Sequence, residues 1–120
     1  MKVIIAGSRE IFDYEIVKKA IEESKFEITE VVSGVARGVD SLGERYAYER
    51  KILTKRFPAD WDKHGKPAGI IRNIEMANYA EALIAIWDGK SRGTKHMIDE
   101  AKKKNLKVFV KIVGDELRKI

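Results

Sequence analysis

The sequence predicts an α/β fold, a three-layer sandwich on a mostly parallel five-stranded sheet, and two observations carry that expectation. Short apolar runs alternate along the chain with amphipathic segments of ten or more residues. That is the pattern of strands joined by right-handed crossover helices, which cover both faces of a parallel sheet. The run Ala82 to Trp87, ALIAIW, contains no charged or strongly polar residue, as expected of a strand buried on both faces and placed centrally. The expected strand order is 3-2-1-4-5, as in Rossmann-like sheets.

Each element has its own signal. Lys2 to Ala6 (KVIIA) reads as the first strand. Asp13 then reads as the N-cap of a helix in which Ile16, Val17, Ala20 and Ile21 share one face. Ile28 to Ser33 (ITEVVS) is the second strand. In the next helix Val39, Leu42, Gly43, Tyr46 and Ala47 fall at i, i+3, i+4, i+7 and i+8, the stripe of a helix packed on a sheet. Gly43 in that stripe permits close approach at some cost in helix propensity. Ile52 to Phe57 (ILTKRF) is the third strand, Ala82 to Trp87 the fourth, and KVFVKIV, from Lys107, the fifth. Helices are expected over 68–79 and 94–104. Pro58 to Pro67, bounded by the only two prolines, reads as about ten irregular residues, a length that often marks function.

The 120 residues suit one domain over 1–120, long enough to bury a core without staples. With no cysteine, disulfides and thiolate metal sites are excluded. The two histidines, His64 and His96, lie on different elements without acidic partners at ligand spacing, so no metal and no cofactor is expected. The opening apolar run ends at Gly7, too early for a leader, and no segment approaches membrane-spanning length. The expected location is the cytoplasm, with no membrane partner. Net charge is +5, mildly favouring acidic ligands. Part of it sits in Lys102 to Lys107 (KKKNLK), read as a solvated helix end complementing the dipole, and in the tail LRKI, Leu117 to Ile120.

In an open parallel sheet, ligands bind beyond the carboxyl ends of the strands, where the strand order reverses. Three loops are thereby selected: GSRE (Gly7, Ser8, Arg9, Glu10), SGVARGVD (Ser33 to Asp40) and DGKSRGT (Asp88 to Thr94). All carry glycine and each carries an arginine. Glycines let backbone approach a ligand, and the following helix offers free amides and the positive end of its dipole. The spacing Gly34-x-x-x-Gly38 matches neither the dinucleotide fingerprint nor the P-loop. It admits both a tight turn in which Asp40 caps its own helix and an anion cradle. Because a first-turn carboxylate competes with phosphate for the same amides, Asp40 suits capping or a sugar hydroxyl. In the third loop Asp88, Gly89, Ser91, Gly93 and Thr94 form a similar device, with Thr94 as helix cap or phosphate donor. Arg9, Arg37 and Arg92 can fork onto phosphate oxygens. Trp61 can stack on a base or plug the core edge, and Arg72 and Asn73 can face the cleft. No nucleophile, base and orienter assemble from the sequence.

Taken together, GSR at Gly7 to Arg9, SGVARGVDSLGERYA at Ser33 to Ala47, PADWDKHGKPAGIIRN at Pro58 to Asn73 and WDGKSRGTKHMI at Trp87 to Ile98 resemble the SLOG superfamily, and within it the YspA/YpsA-related stand-alone group. The resemblance implies a Rossmann-like domain that binds or senses a nucleotide or nucleotide-derived ligand at the three loops, commonly as a homodimer or higher homo-oligomer. Two relatives set alternatives. The LOG phosphoribohydrolases cleave the base from nucleoside 5′-monophosphates. RNIEM here resembles their arginine motif, so Arg72 matches the catalytic arginine, and Gly93 and Thr94 match their glycine-rich loop. His96 stands where they carry glutamate, and an imidazole does not stabilise an oxocarbenium-like sugar as a carboxylate does. Glu100 lies too far along the helix to replace it. DprA carries a loop similar to SGVARGVD and binds single-stranded DNA, but that mode usually adds a basic groove with stacking aromatics. Val35 stands where relatives often have glycine. The resulting expectation is ligand binding without turnover, with phosphate against Gly34 to Gly38 and Ser91 to Thr94.

Overall fold

A computed structural model describes residues 1–114. The tail Leu117 to Ile120 lies outside the described residues. Ten elements follow one another: β1 (Lys2–Gly7), α1 (Tyr14–Ser24), β2 (Glu30–Ser33), α2 (Val39–Glu49), β3 (Leu53–Arg56), α3 (Trp61–His64), α4 (Ala68–Tyr79), β4 (Ala82–Trp87), α5 (Arg92–Lys103) and β5 (Lys107–Ile112). The five strands form one sheet in the order β3-β2-β1-β4-β5, every neighbouring pair parallel. The expected architecture and order are thus observed.

Strand periodicity builds two cores. From β1, Val3 and Ile5 point to one face and Ile4 and Ala6 to the other; from β4, Ala82, Ile84 and Ile86 oppose Leu83 and Ala85. The first face is covered by Val17, Ala20 and Ile21 of α1 and by Val39, Tyr46 and Ala47 of α2. The second is covered by Met76 and Ala77 of α4 and by Met97, Ile98 and Ala101 of α5. A Cβ on Gly43 would stand 2.8 Å from Ile5 Cγ2, so α2 approaches the sheet as closely as its glycine allows. Asp13 caps α1, its Oδ1 accepting from the Glu15 amide at 3.0 Å. Lys102 and Lys103 occupy the last turn of α5, where they complement the helix dipole.

The structure corrects several expected boundaries. β4 is interior as expected, paired with β1 on one side and β5 on the other, and β1 is the middle strand of the five. β2 begins at Glu30 rather than Ile28, and just before it the Thr29 amide donates to the Met1 carbonyl at 2.9 Å. β3 is an edge strand with all four residues exposed, among them Leu53 at 72%. The segment after it is not wholly irregular: Asp60 Oδ1 accepts from the Lys63 amide and starts the short helix α3. α5 begins at Arg92 rather than Thr94, and its N-cap is Ser91, whose Oγ accepts from the Thr94 amide. Nor does Asp40 cap α2: the N-cap is Gly38, without a side-chain bond, and Asp40 lies within the first turn. Among the described residues no helix is long and apolar enough to cross a membrane.

Candidate functional site

The three selected loops meet at the carboxyl end of the sheet, tied together by one serine. Ser8 is 1% exposed. Its amide donates to the Ile86 carbonyl at 3.1 Å, its carbonyl accepts from Ile11 and Val39, and its Oγ accepts from the Asp88 amide at 3.1 Å. One residue of the first loop thereby holds the loops after β2 and β4. The glycines around it are steric necessities. A Cβ on Gly7 would lie 2.1 Å from the Ile86 carbonyl oxygen. Gly38 has φ of 75° and would place a Cβ 2.6 Å from the carbonyl oxygens of Ser8 and Arg9. The second loop is therefore pressed onto the first instead of opening as a free cradle.

Its carboxylate completes that arrangement. Asp40 is 5% exposed, and its Oδ2 accepts from the Ala36 amide at 3.2 Å. Burial pushes its carboxyl up to about 6 from 3.8, against the pull of the Ala36 amide, the Arg72 guanidinium and the Gly7 amide. Expected as an anion cradle, the stretch Gly34 to Gly38 thus has its Ala36 amide occupied by its own aspartate. Arg72 reaches across from α4. Its Nη1 donates to the Gly34 carbonyl and its Nε to Asn73 Oδ1 at 3.0 Å. Burial lowers its affinity for the proton, the Asp40 carboxylate restores part of it, and the positive Arg9 nearby lowers it again. A Cβ on Gly34 would fall 2.7 Å from Arg72 Nη1 and 2.9 Å from Asp40 Oδ2. Glycine is what lets this charged pair close over the loop.

Asn73, buried between α4 and α5, is oriented by Arg72. With Oδ1 accepting from the guanidinium, its Nδ2 donates to the Gly93 carbonyl at 3.3 Å and to His96 Nδ1 at 3.1 Å. His96 Nδ1 is then an acceptor, which leaves the ring proton on Nε2. In the third loop Asp88 Oδ1 accepts from the Lys90 and Ser91 amides, both at 2.8 Å, and Gly89 turns the chain at φ of 79°. Ser91 Oγ and Thr94 Oγ1 share a bond of 3.1 Å, while Trp87 Nε1 donates to the Ser91 carbonyl. No preceding carbonyl within the helix reaches the amides of Arg92 and Gly93 in the first turn of α5. A Cβ on Gly93 would meet nothing within 4 Å.

These elements enclose a cavity of about 490 Å³, within the range of small-ligand sites. Of the expected binding residues, Gly7, Ser8, Arg9, Asp40, Arg72, Asn73, Asp88, Ser91, Gly93 and Thr94 line it. Ser33, Gly34, Arg37, Gly38 and Gly89 do not. Ser33 is fully buried and donates to Glu44 Oε2 at 2.6 Å. Arg37 turns to solvent and pairs with Glu10 at 2.7 Å. Gly34 lines a smaller adjoining pocket of about 140 Å³, together with Val35. Arg92, His96 and Trp61 also line the main cavity, and Trp61, 51% exposed, is no core plug. Lys66, Gly69 and Ile70 also stand on its wall, outside the set of expected binding residues. Lys66 falls in the Pro58 to Pro67 stretch marked by its length, and Ile70 is apolar yet lies off the buried stripe of α4 formed by Ala68, Asn73, Met76 and Ala77. Among the described residues no three His, Cys, Asp or Glu side chains group so as to hold a metal ion.

The chain is similar to the Gene 61 protein of Mycobacterium phage D29, 36% identical over 118 residues that cover 90% of this chain and 94% of that protein. Its fold is similar to that of DNA processing protein A (DprA) from Streptococcus pneumoniae, with a TM-score of 0.74 at 20% identity over 91% of this chain. The match spans about half, 49%, of that structure. Residues 1–64 match the model of the YspA, cpYpsA-related SLOG family, and the chain belongs to that family.

Proposed function

We propose that the chain binds a nucleotide or nucleotide-derived ligand in the cavity at the carboxyl end of its sheet and does not turn it over. The observation that carries this reading is the opening of the α5 N-terminus, with Ser91, Gly93 and Thr94, onto a cavity flanked by Arg9, Arg72 and Arg92. First-turn amides, hydroxyls and guanidinium forks are the donors a phosphate needs, and the helix dipole favours its charge. The second loop takes a different role from the one its glycines suggest. With the Ala36 amide held by Asp40, phosphate sits against Ser91 to Thr94, and the Asp40 carboxylate accepts from a sugar hydroxyl. Family membership and the fold shared with a DNA processing protein agree with a nucleotide-related ligand.

Three features favour binding over hydrolysis. Arg72 already serves the Gly34 carbonyl and Asn73, so its guanidinium is structural as well as cationic. Where the hydrolase relatives place glutamate, His96 accepts from Asn73 and offers no negative charge to an oxocarbenium-like sugar. Asp88, on the cavity wall, is held by two amides of its own turn. The test is a thermal-shift panel of nucleoside monophosphates, ADP-ribose, NAD and cyclic nucleotides. A ligand at a hundred times its Kd adds about 2.7 kcal/mol, a shift of several degrees for a chain of this size. If no member raises the melting temperature, the reading is wrong. Free base released from a monophosphate, and lost in Arg72→Ala, would replace binding by hydrolysis.

A further inference from the structure

We propose that Trp61 and Ile70 form a base platform, so that the cavity selects ligands carrying a planar aromatic ring over bare sugar phosphates. The inference rests on the phosphate-binding reading of the same cavity and adds the chemistry of its apolar lining. Trp61 and Ile70 both line the cavity while remaining 51% and 50% exposed. They belong to different helices, α3 and α4, and share the wall with Gly69. Large apolar side chains are left half in water on a cavity wall where no core packing requires them. Burying them needs an apolar partner, and the cavity they line offers space for one.

Local structure fixes the backbone turn that carries the indole. Asp60 Oδ1 holds the Lys63 amide, and the Gly65 amide donates to the Trp61 carbonyl at 2.8 Å, closing the single turn of α3. Gly65, at φ of 64°, then turns the chain into α4, where the Ala68 amide donates to the Gly65 carbonyl at 3.0 Å. At Gly69 a Cβ would meet Trp61 Cη2 at 3.5 Å. The indole therefore sits over the one residue of that turn that has no side chain. The indole and Ile70 thereby share the lining of one cavity with Ser91, Gly93 and Thr94 of the α5 N-terminus.

Trp61 also lines the smaller pocket, which shares Arg9, Ala36 and Arg72 with the main cavity. Trp61 is thus common to the lining of both spaces, as are Arg9 and Arg72. A ligand filling the cavity can meet the amides and hydroxyls of the α5 N-terminus with one part and an aromatic face with another, with Arg9 and Arg72 on the same lining. A nucleotide has that polarity, with phosphate and base at opposite ends of a sugar. A sugar phosphate or inorganic phosphate satisfies only the first half and leaves the indole wet. Stacking tolerates any base because every base has a π-face, so the platform sets the ligand class without choosing among bases.

The test is calorimetric titration of the full chain with adenosine, guanosine, cytidine and uridine 5′-monophosphates and with ribose 5-phosphate. At least one nucleotide should bind about tenfold or more tighter than ribose 5-phosphate, within the range of aromatic–base stacking. Trp61→Ala should erase that preference while leaving ribose 5-phosphate binding unchanged. Trp61→Phe should retain most of it, and Ile70→Ser should lose part. Because Trp61 is half-exposed, the alanine variant should melt close to wild type, and ribose 5-phosphate binding checks its fold. Equal binding of nucleotides and ribose 5-phosphate by the wild-type chain, or an equal loss of both in Trp61→Ala, overturns the platform and leaves the phosphate site standing. If neither nucleotides nor ribose 5-phosphate bind, the platform and the phosphate-binding reading fall together.

Discussion

Val35 is the one β-branched residue among the non-glycine positions with positive φ in the described chain, at 64°. Left-handed backbone costs an L-residue about 1–2 kcal/mol, and Val35 is 42% exposed, so little burial offsets it. Val35→Gly should therefore stabilise the fold by about 0.5–1 kcal/mol, after the larger entropy of a glycine in the unfolded chain is subtracted. Urea unfolding measures it, and a lower midpoint would contradict the strain. Asp40 offers a second test at this scale. Its carboxyl lies at about 6 in the folded chain against 3.8 when unperturbed. As pH rises from 4 to 6 the unfolded chain ionises while the buried group resists, so stability is lost with rising pH and the penalty is complete above 6. The loss is on the order of 3 kcal/mol. Asp40→Asn cannot ionise, so its stability relative to wild type should climb between pH 4 and 7. Parallel profiles for the two proteins would mean the carboxylate is solvated.

At the scale of elements, what was legible is what periodicity and spacing encode. β1 and β4 are interior apolar runs, and the stripe of α2 from Val39 to Ala47 packs as its spacing requires. Gly43 in that stripe makes a sharp prediction. Helix propensity alone would make Gly43→Ala stabilising by about 1 kcal/mol. The added Cβ would stand 2.8 Å from Ile5 Cγ2, and overpacking of this kind costs about 1–3 kcal/mol. We expect net destabilisation in thermal or urea melts; a gain would show that α2 is free to shift. What was illegible lacked a period. α3 is one turn inside a charged stretch, held by the Asp60 cap and by Gly65. The start of α5 moved to Arg92 because two hydroxyl residues three positions apart, Ser91 and Thr94, could each cap, and only their geometry chooses Ser91. The convergence of three loops was readable from strand order, but the division of labour within them was not. Asp40 turns inward to Ala36, four residues back in its own loop, and Arg37 turns outward to Glu10 of the first loop, choices that no period in the sequence encodes.

For the molecule as a whole, the question is where its positive charge lies relative to the cavity. The net charge of +5 gives no position by itself. α5 separates two basic regions: Arg92 opens the helix at the cavity, while Lys102, Lys103 and Lys104 stand at its far end, with Lys107 beyond. Twelve helical residues put about 18 Å between them, roughly two Debye lengths at physiological salt. The lysine run therefore contributes little to a ligand held at the α5 N-terminus. Arg9, Lys66, Arg72 and Arg92 are the cations of the cavity wall. Four cations set a ceiling on counterion release: for a single strand, log K should fall with log salt at a slope no steeper than about −3. A mononucleotide, with one phosphate, should show a slope nearer −1. Titrating adenosine 5′-monophosphate and a thymidylate oligomer between 50 and 300 mM salt, in wild type and in Arg9→Ala, separates the two modes of binding. We expect the mononucleotide to bind with the shallow slope and to weaken in Arg9→Ala. An oligomer with a slope of about −5 or steeper, unaffected by Arg9→Ala, would move the principal ligand out of the cavity. It would place that ligand along the outer surface, where the lysines of α5 would take part.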